Sequence, residues 1–212
     1  MNSFAEVGCG TGFVLHSVRK SFPDAKITAI EIYANALEHA RSRIPDARLI
    51  QADVHNFPFK KEFDLVGMFD VLEHIDNDLS ALKNLRHSLK PGGGILVTVP
   101  QHKWLWSASD TLACHRRRYT RNELDEKLRN AGFRPIKFFS FITFLLPVLA
   151  LSRFTRSRNE KGMDAADELK ISKLFNKLFY LVCSLERSFI KSGVSFPAGG
   201  SLAAIAQIDV KK

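Results

Sequence analysis

The chain has 212 residues, 45% of them hydrophobic and 25% charged, which suits one folded domain with a sizeable core and excludes a disordered or low-complexity chain. Its net charge of +9 is unevenly spread: residues 1–132 hold 18 Lys/Arg against 16 Asp/Glu, whereas 133–212 hold 13 against 6. That excess points to an anionic partner for the last third. Cys9, Cys114 and Cys183 are far apart, which excludes a disulfide scaffold and fits a reducing compartment. The first residues carry no signal-peptide pattern, so a cytoplasmic protein is expected.

In chain order, FAEVG, AKITAIEI, ARLIQAD, FDLVGMF and GGILVTVP predict strands. GFVLHSVRKSF, YANALEHARSRI, DLSALKNLRHSL and TRNELDEKLRNAGF predict helices between and after them. The strands are continuously apolar, as in a parallel sheet covered on both faces. LKPGGG and RNAGF read as helix stops, and Thr120 with Glu123 as a capping box. From residue 140 to about 197 the alternation breaks. The apolar run FFSFITFLLPVLAL (138–151) is followed by arginines and then by a long amphipathic helix, before GGSLAAIAQI returns as a strand.

The first turn, EVGCGTGF at 6–13, identifies a ligand class. Alternating glycines between a strand and a helix bare the backbone N–H groups and the positive helix end. No lysine follows, so a P-loop is excluded. A dinucleotide fingerprint needs a third glycine where Phe13 stands, and a side chain there crowds the helix–strand approach. What fits is E-x-G-x-G-x-G, here Glu6, Gly8, Gly10 and Gly12. Glu31 then ends the second strand, Asp53 the third, and FDVLEHI follows the fourth.

With these motifs in order, the chain resembles the class I S-adenosylmethionine-dependent methyltransferases, including the ubiquinone-biosynthesis O-methyltransferases. The resemblance covers residue 3 to about 139 and resumes at GGSLAAIAQI. It implies an α/β, Rossmann-like, doubly wound seven-stranded sheet whose antiparallel last strand inserts beside strand five. It also implies a single domain, with core 1–139 and 198–212 and a helical lid or membrane-facing insertion at 140–197. For the cofactor it implies that Glu6, Gly8, Gly10 and Gly12 line the methionine end. Glu31 and Ile32 would hold ribose and adenine, Asp53 and Val54 the adenine edge, and the Phe69 backbone would lie near the sulfonium. The family carries one or two helices before the first strand. This chain opens almost on the strand, which implies a more open pocket or a start further in than usual.

Acceptor groups in this family come from beyond strands four and five, where PQHKWLWSASDTLACHRRRYT (100–120) stands. One reading has Trp104 and Trp106 shaping a pocket with Tyr119, Arg116 and Arg117 gripping an anionic group, and His115 or Asp110 taking a proton. In the other, the arginines are solvated and the tryptophans cover the sheet edge. His74 is a second candidate base. Cys114 and His115 have no second pair at ligand spacing, so no metal is expected.

The 138–151 run is too short to span a bilayer, for which ~20 residues are needed. With Arg153, Arg156, Arg158 and Lys161 behind it, segment 138–161 fits an anionic membrane surface at the inner face, and hence a lipid-like or lipid-linked acceptor. The same run also fits a lid helix packed on the sheet. Two further functions remain. A nucleic-acid methyltransferase suits the basic charge but lacks [DN]-P-P-[FYW] after strand four, so no nucleic-acid partner is expected. A cofactor-binding protein without catalysis is the other.

Overall fold

The computed structural model describes residues 1–156 and 172–208, including the side chains of all but 154–156. Seven strands form one sheet in the order β3-β2-β1-β4-β5-β7-β6. These are β1 (Ser3–Val7), β2 (Lys26–Glu31), β3 (Arg48–Gln51), β4 (Phe63–Phe69), β5 (Leu89–Pro100), β6 (Arg134–Phe141) and β7 (Ser201–Gln207). Strands 3-2-1-4-5 pair in parallel, and β7 runs antiparallel between β5 and β6. The doubly wound sheet expected from the sequence is therefore the fold.

Helices stand at α1 (Phe13–Ser21), α2 (Ala34–Arg43), α3 (Asp78–Ser88), α4 (Ala108–Leu112), α5 (Arg121–Asn130), α6 (Leu146–Arg156) and α7 (Lys173–Lys191); the short α4 was not expected from the sequence. Two apolar clusters show why both faces of the strands read as hydrophobic. Leu15, Leu37 and Ile44 from the α1/α2 side meet Phe4, Ile27 and Ala29. Leu82, Leu85, Leu124 and Leu128 from α3 and α5 meet Ala5, Ile30, Val66 and Val97. The expected capping box is present, with Thr120 accepting from the Glu123 backbone and Glu123 from that of Thr120.

One segment differs from expectation. The run 138–151 is not a single helix, since its first part completes β6 and α6 begins only at Leu146. β6 is an edge strand, so aromatic residues at 138–141 satisfy their backbone against β7 and cover the sheet end. No helix among the described residues is long and apolar enough to cross a membrane.

The segment after β5 is tied down by a buried carboxylate. Asp78, the first residue of α3 and 3% exposed, accepts from the Tyr119 hydroxyl at 2.8 Å, the Arg117 guanidinium at 2.8 Å and Lys127 Nζ at 2.7 Å. Burial alone would raise its pKa; the bonds from Lys127, Tyr119 and Arg117 outweigh that and lower it. Removing the carboxylate leaves the buried Tyr119 hydroxyl only the Leu72 carbonyl at 3.3 Å, and takes the paired acid from two cations that reach solvent only in part. We therefore expect Asp78→Ala to cost about 2–4 kcal/mol in urea unfolding, and Tyr119→Phe about 1–2 kcal/mol. A loss below about 0.5 kcal/mol for both would mean that the network is not what anchors the segment.

Candidate functional site

In an open parallel sheet, loops that leave adjacent strands in opposite directions part at their carboxyl ends and leave a crevice. Here β1 lies between β2 and β4, where the strand order reverses. A cavity of about 530 Å³ opens at that point, with Gly8, Gly10, Glu31, Asp53, Asp70 and His74 among its lining residues. Another, of about 640 Å³, opens at the opposite end of the sheet. Four of its charged lining residues are paired with one another, Arg19 with Asp46 and Arg48 with Glu62.

The glycine loop is built around the cavity. Gly8, Gly10 and Gly12 have φ of 73°, 51° and 83°, the region that glycine enters without steric cost. A Cβ on Gly8 would stand 2.3 Å from Val71, and one on Gly12 3.2 Å from Ala40, whereas one on Gly10 would meet nothing within 4 Å. Packing thus demands the outer two glycines, and the middle one keeps open space open. Gly10 N–H donates to Glu31 Oε2 at 2.9 Å. Ile32 and Tyr33 N–H donate to Glu31 Oε1 at 2.8 and 3.1 Å. The end of β2 is thereby held to the loop after β1 through one carboxylate.

Of the residues expected at a cofactor, Gly8, Gly10, Glu31, Ile32, Asp53 and Val54 share this cavity. Asp53 also accepts from the His55 backbone at 2.8 Å. Gly12 heads α1, and Glu6 lies buried on β1, 2% exposed. The Phe69 ring covers Gly67, where an added Cβ would stand 2.6 Å from it. The wall after β4 is formed instead by Asp70, Val71, Ile75 and Asp76, which sequence reasoning passed over. Asp70 has φ of 52°, and its N–H donates to the carbonyl and hydroxyl of Thr98. A polar residue directly after an apolar strand was the available signal.

Residues 100–120 divide into two groups. Asp110, 1% exposed, accepts from Arg118 Nε at 2.8 Å and Nη2 at 3.0 Å, and binds His115 Nδ1 at 2.9 Å. The His115 ring stands edge-on to His74, with centroids 4.7 Å apart, so the three expected catalytic residues are brought together at the cavity edge. Below them is Glu73, fully buried, with neither carboxylate oxygen hydrogen-bonded. Glu73 was missed because an acidic residue inside FDVLEHI reads as a helix-start charge.

The expected acceptor-gripping residues are dispersed. Arg117 and Tyr119 belong to the Asp78 network, and Tyr119 is 1% exposed. This is a structural placement, outside the cavity lining. Arg116 reaches Asp76 at 3.2 Å. Trp104 and Trp106 are exposed, the latter donating to Thr111 Oγ1 at 3.3 Å.

Burial sets the protonation of three groups. Burial, and then the neighbouring Glu31 charge, pushes the Glu6 carboxyl up to about 8. Burial raises Glu73 to about 8 as well. His74 is lowered, by burial first and then by His115.

Residues 4–93 match a family described as a methyltransferase domain. The malonyl-[acyl-carrier protein] O-methyltransferase of Priestia megaterium is 30% identical over 95 residues, 44% of this chain and 35% of that one. The trans-aconitate 2-methyltransferase of Afipia carboxidovorans is 31% identical over 98 residues, 46% of this chain and 38% of that one. The match therefore spans little more than a third of each of these relatives. Among solved structures, a Haemonchus contortus phosphoethanolamine N-methyltransferase 2 in complex with S-adenosyl-L-methionine superposes with a TM-score of 0.63. It is 17% identical, and the superposition covers 99% of this chain and 49% of that one.

The buried Glu6 has a pH signature. Its folded pKa of about 8 lies above the ordinary 4.5, so the unfolded chain releases this proton first. Stability should fall as pH rises from about 4.5 to about 8, by at most ~1.4 kcal/mol per unit. Glu6→Gln should flatten that part of the curve, read as the wild-type-minus-variant difference in denaturant midpoint between pH 5 and pH 8. Parallel curves would mean that Glu6 ionises normally.

Proposed function

We propose that the chain is a class I S-adenosylmethionine-dependent methyltransferase that moves the methyl group of that cofactor to a small-molecule acceptor. The observation that carries this reading is the empty approach over Gly10 beside the bonded Glu31 carboxylate, at the strand-order reversal. Bound there, the cofactor supplies a methyl group on a sulfonium, open to in-line displacement. The protein's part is alignment and exclusion of water.

Residue roles follow from position. Gly8 and Gly10 leave room for the methionine end, with Glu6 and Gly12 shaping the loop from below. Glu31 offers a carboxylate to the ribose hydroxyls, and its bonds from Ile32 and Tyr33 pre-orient it. Ile32, 49% exposed, offers an apolar face to adenine, and Asp53 with Val54 a polar edge. Asp70 and Val71 take the place near the sulfonium that the sequence gives to Phe69. The His74, His115 and Asp110 cluster handles the acceptor, because it joins imidazoles at the cavity edge to a buried, hydrogen-bonded acid.

The acceptor we propose is lipid-like or lipid-linked, met at an anionic membrane surface. Support for the surface is stronger on α7 than on 138–161. Leu174, Phe175, Leu178, Leu181, Leu185 and Phe189 are all exposed. The exposed charges of α7 are Lys173, Lys177, Arg187 and Lys191, all positive, while its one acid, Glu186, is buried and accepts from Phe144 N–H at 2.8 Å. An apolar face edged with cations fits an interfacial helix. Within 138–161, Val148 is exposed, but Arg153 is turned inward to the Leu105 carbonyl at 3.1 Å. Arg158 and Lys161 lie outside the described residues, as does the side chain of Arg156.

Calorimetric titration with S-adenosylmethionine tests the cofactor assignment. Gly10→Asn should leave stability within about 1 kcal/mol, because asparagine tolerates positive φ, yet abolish binding. Glu31→Ala should weaken binding by ~1–3 kcal/mol. Unchanged binding in Gly10→Asn would overturn the site.

Flotation with vesicles tests the surface. Binding to phosphatidylglycerol vesicles and not to phosphatidylcholine is expected, weakening as salt rises. Replacing Lys173, Lys177 and Lys191 by Gln should remove most of it, at about 1 kcal/mol per cation. Equal, negligible binding to both vesicle types would leave a polar, water-borne acceptor.

A further inference from the structure

Asn84 stands in the interior of α3, one turn from the buried Ala81 on one side and the buried Ser88 on the other. Asparagine is a poor residue for a helix interior, because its amide competes for nearby backbone groups. Here the amide leaves the helix altogether. Its Nδ2 donates to the Val54 carbonyl at 2.9 Å and to the His55 carbonyl at 3.0 Å. Val54 and His55 both line the cavity at the strand-order reversal, and Asn84 lies outside that lining. We propose that Asn84 is a positioning residue for the cofactor: it fixes the turn that reads the edge of the base, and so sets the site's preference for a 6-amino purine.

The turn after β3 needs an anchor of this kind. Val54–Asn56 is a single turn of 3-10 helix. It is closed by the Asn56 N–H on the Asp53 carbonyl at 3.0 Å and the His55 N–H on Asp53 Oδ1 at 2.8 Å. A turn this short has little stiffness of its own. The Val54 side chain, buried in the core, sets the depth of the turn but not its rotation. Two bonds from one planar amide to consecutive carbonyls remove that rotation. The Asp53 carboxylate and the Val54 backbone, both on the cavity wall, are thereby held in one orientation.

The inference rests on the cofactor reading proposed above. An adenine edge offers an amino donor beside a ring-nitrogen acceptor, complementary to a carboxylate followed by a backbone N–H. A hypoxanthine edge is inverted, a carbonyl oxygen beside a ring N–H, so each contact turns repulsive. Polar groups in fixed directions reject the inverted edge, whereas a wall free to turn accommodates both. A second amide provides the comparison. Gln51 Nε2 donates to the Ile32 carbonyl at 2.9 Å, steadying the apolar side of the pocket, which offers the base a flat face and does not distinguish the two edges.

The test uses the full chain in calorimetric titrations with S-adenosylhomocysteine and with S-inosylhomocysteine, in which oxygen replaces the 6-amino group. The wild type should prefer the adenosyl compound by at least about tenfold. Asn84→Ala should weaken adenosyl binding about fivefold and inosyl binding less than about twofold, so that the ratio collapses. Asn84→Asp, equal in size but without the amide donors, should do the same. One of the two carbonyl bonds is exposed and the other part-buried, so water takes over and circular dichroism should not change. Should Asn84→Ala fail to fold, Asn84→Asp carries the test. Gln51→Ala should weaken both ligands by the same factor. A ratio unchanged by the Asn84 variants, or lowered as far by Gln51→Ala, overturns the proposal, as does a wild type without preference. Binding of neither compound by the wild type overturns the cofactor reading itself, whereas tight binding with an unchanged ratio overturns only the role of Asn84.

Discussion

Everything at the candidate site depends on the double pairing of β1. Val7 is in register with Ile30 of β2 on one side and Met68 of β4 on the other. The connections from β1 and β4 therefore leave on opposite sides, and nothing in the sheet fills the gap between them. An uncovered gap at strand ends is a place where backbone N–H groups need partners. Glu31 supplies three of those partners at once. Its carboxylate closes the loop, and the same atoms lie on the wall of the cavity.

Carboxylates hold this end of the molecule together at three depths. Glu31 ties loop to strand, Asp78 ties the segment after β5 to α3, and Asp110 ties His115 and Arg118 to the short helix α4. Asp78 and Asp110 are fully paired with cations and hydroxyls, and their pKa values are lowered in spite of burial. Glu6 and Glu73 are buried without such partners, and theirs rise. The contrast separates acids that the chain itself pairs with cations from acids that it buries without one. Glu73 stands beside two imidazoles that share its direction, whereas Glu6 stands beside the glycine loop.

Much of this was legible in the sequence, for a physical reason. A glycine forced by positive φ, a carboxylate at a strand end and continuous apolar strands are local facts, so Gly8, Gly10, Gly12 and Glu31 could be read directly, whereas the place of the antiparallel last strand came only with the family resemblance. The residues after β5 could not, because the role of an arginine there depends on which acid it meets. Arg117 and Tyr119 look like an acceptor grip in HRRRYT and are spent on Asp78, forty residues upstream in chain terms and adjacent only through folding. The 138–151 run misled for a related reason. Apolar residues on an edge strand and on a following helix have the same composition, and only pairing with β7 separates them.

The helix α7 poses the opposite problem, since its pattern was plain and its surroundings were not. Amphipathic spacing says that one face differs from the other, and tertiary structure decides which face is covered. Here Glu186, the lone acid, is drawn inward by the Phe144 backbone, and Phe144 packs its ring against Phe189. With the acid consumed in that bond, the leucines at 174, 178, 181 and 185 are left outward with four cations and no exposed anion on the helix. A helix facing water alone gains nothing from that arrangement. The charge excess of the last third, diffuse when counted along the sequence, is thus gathered beside apolar side chains by one buried hydrogen bond.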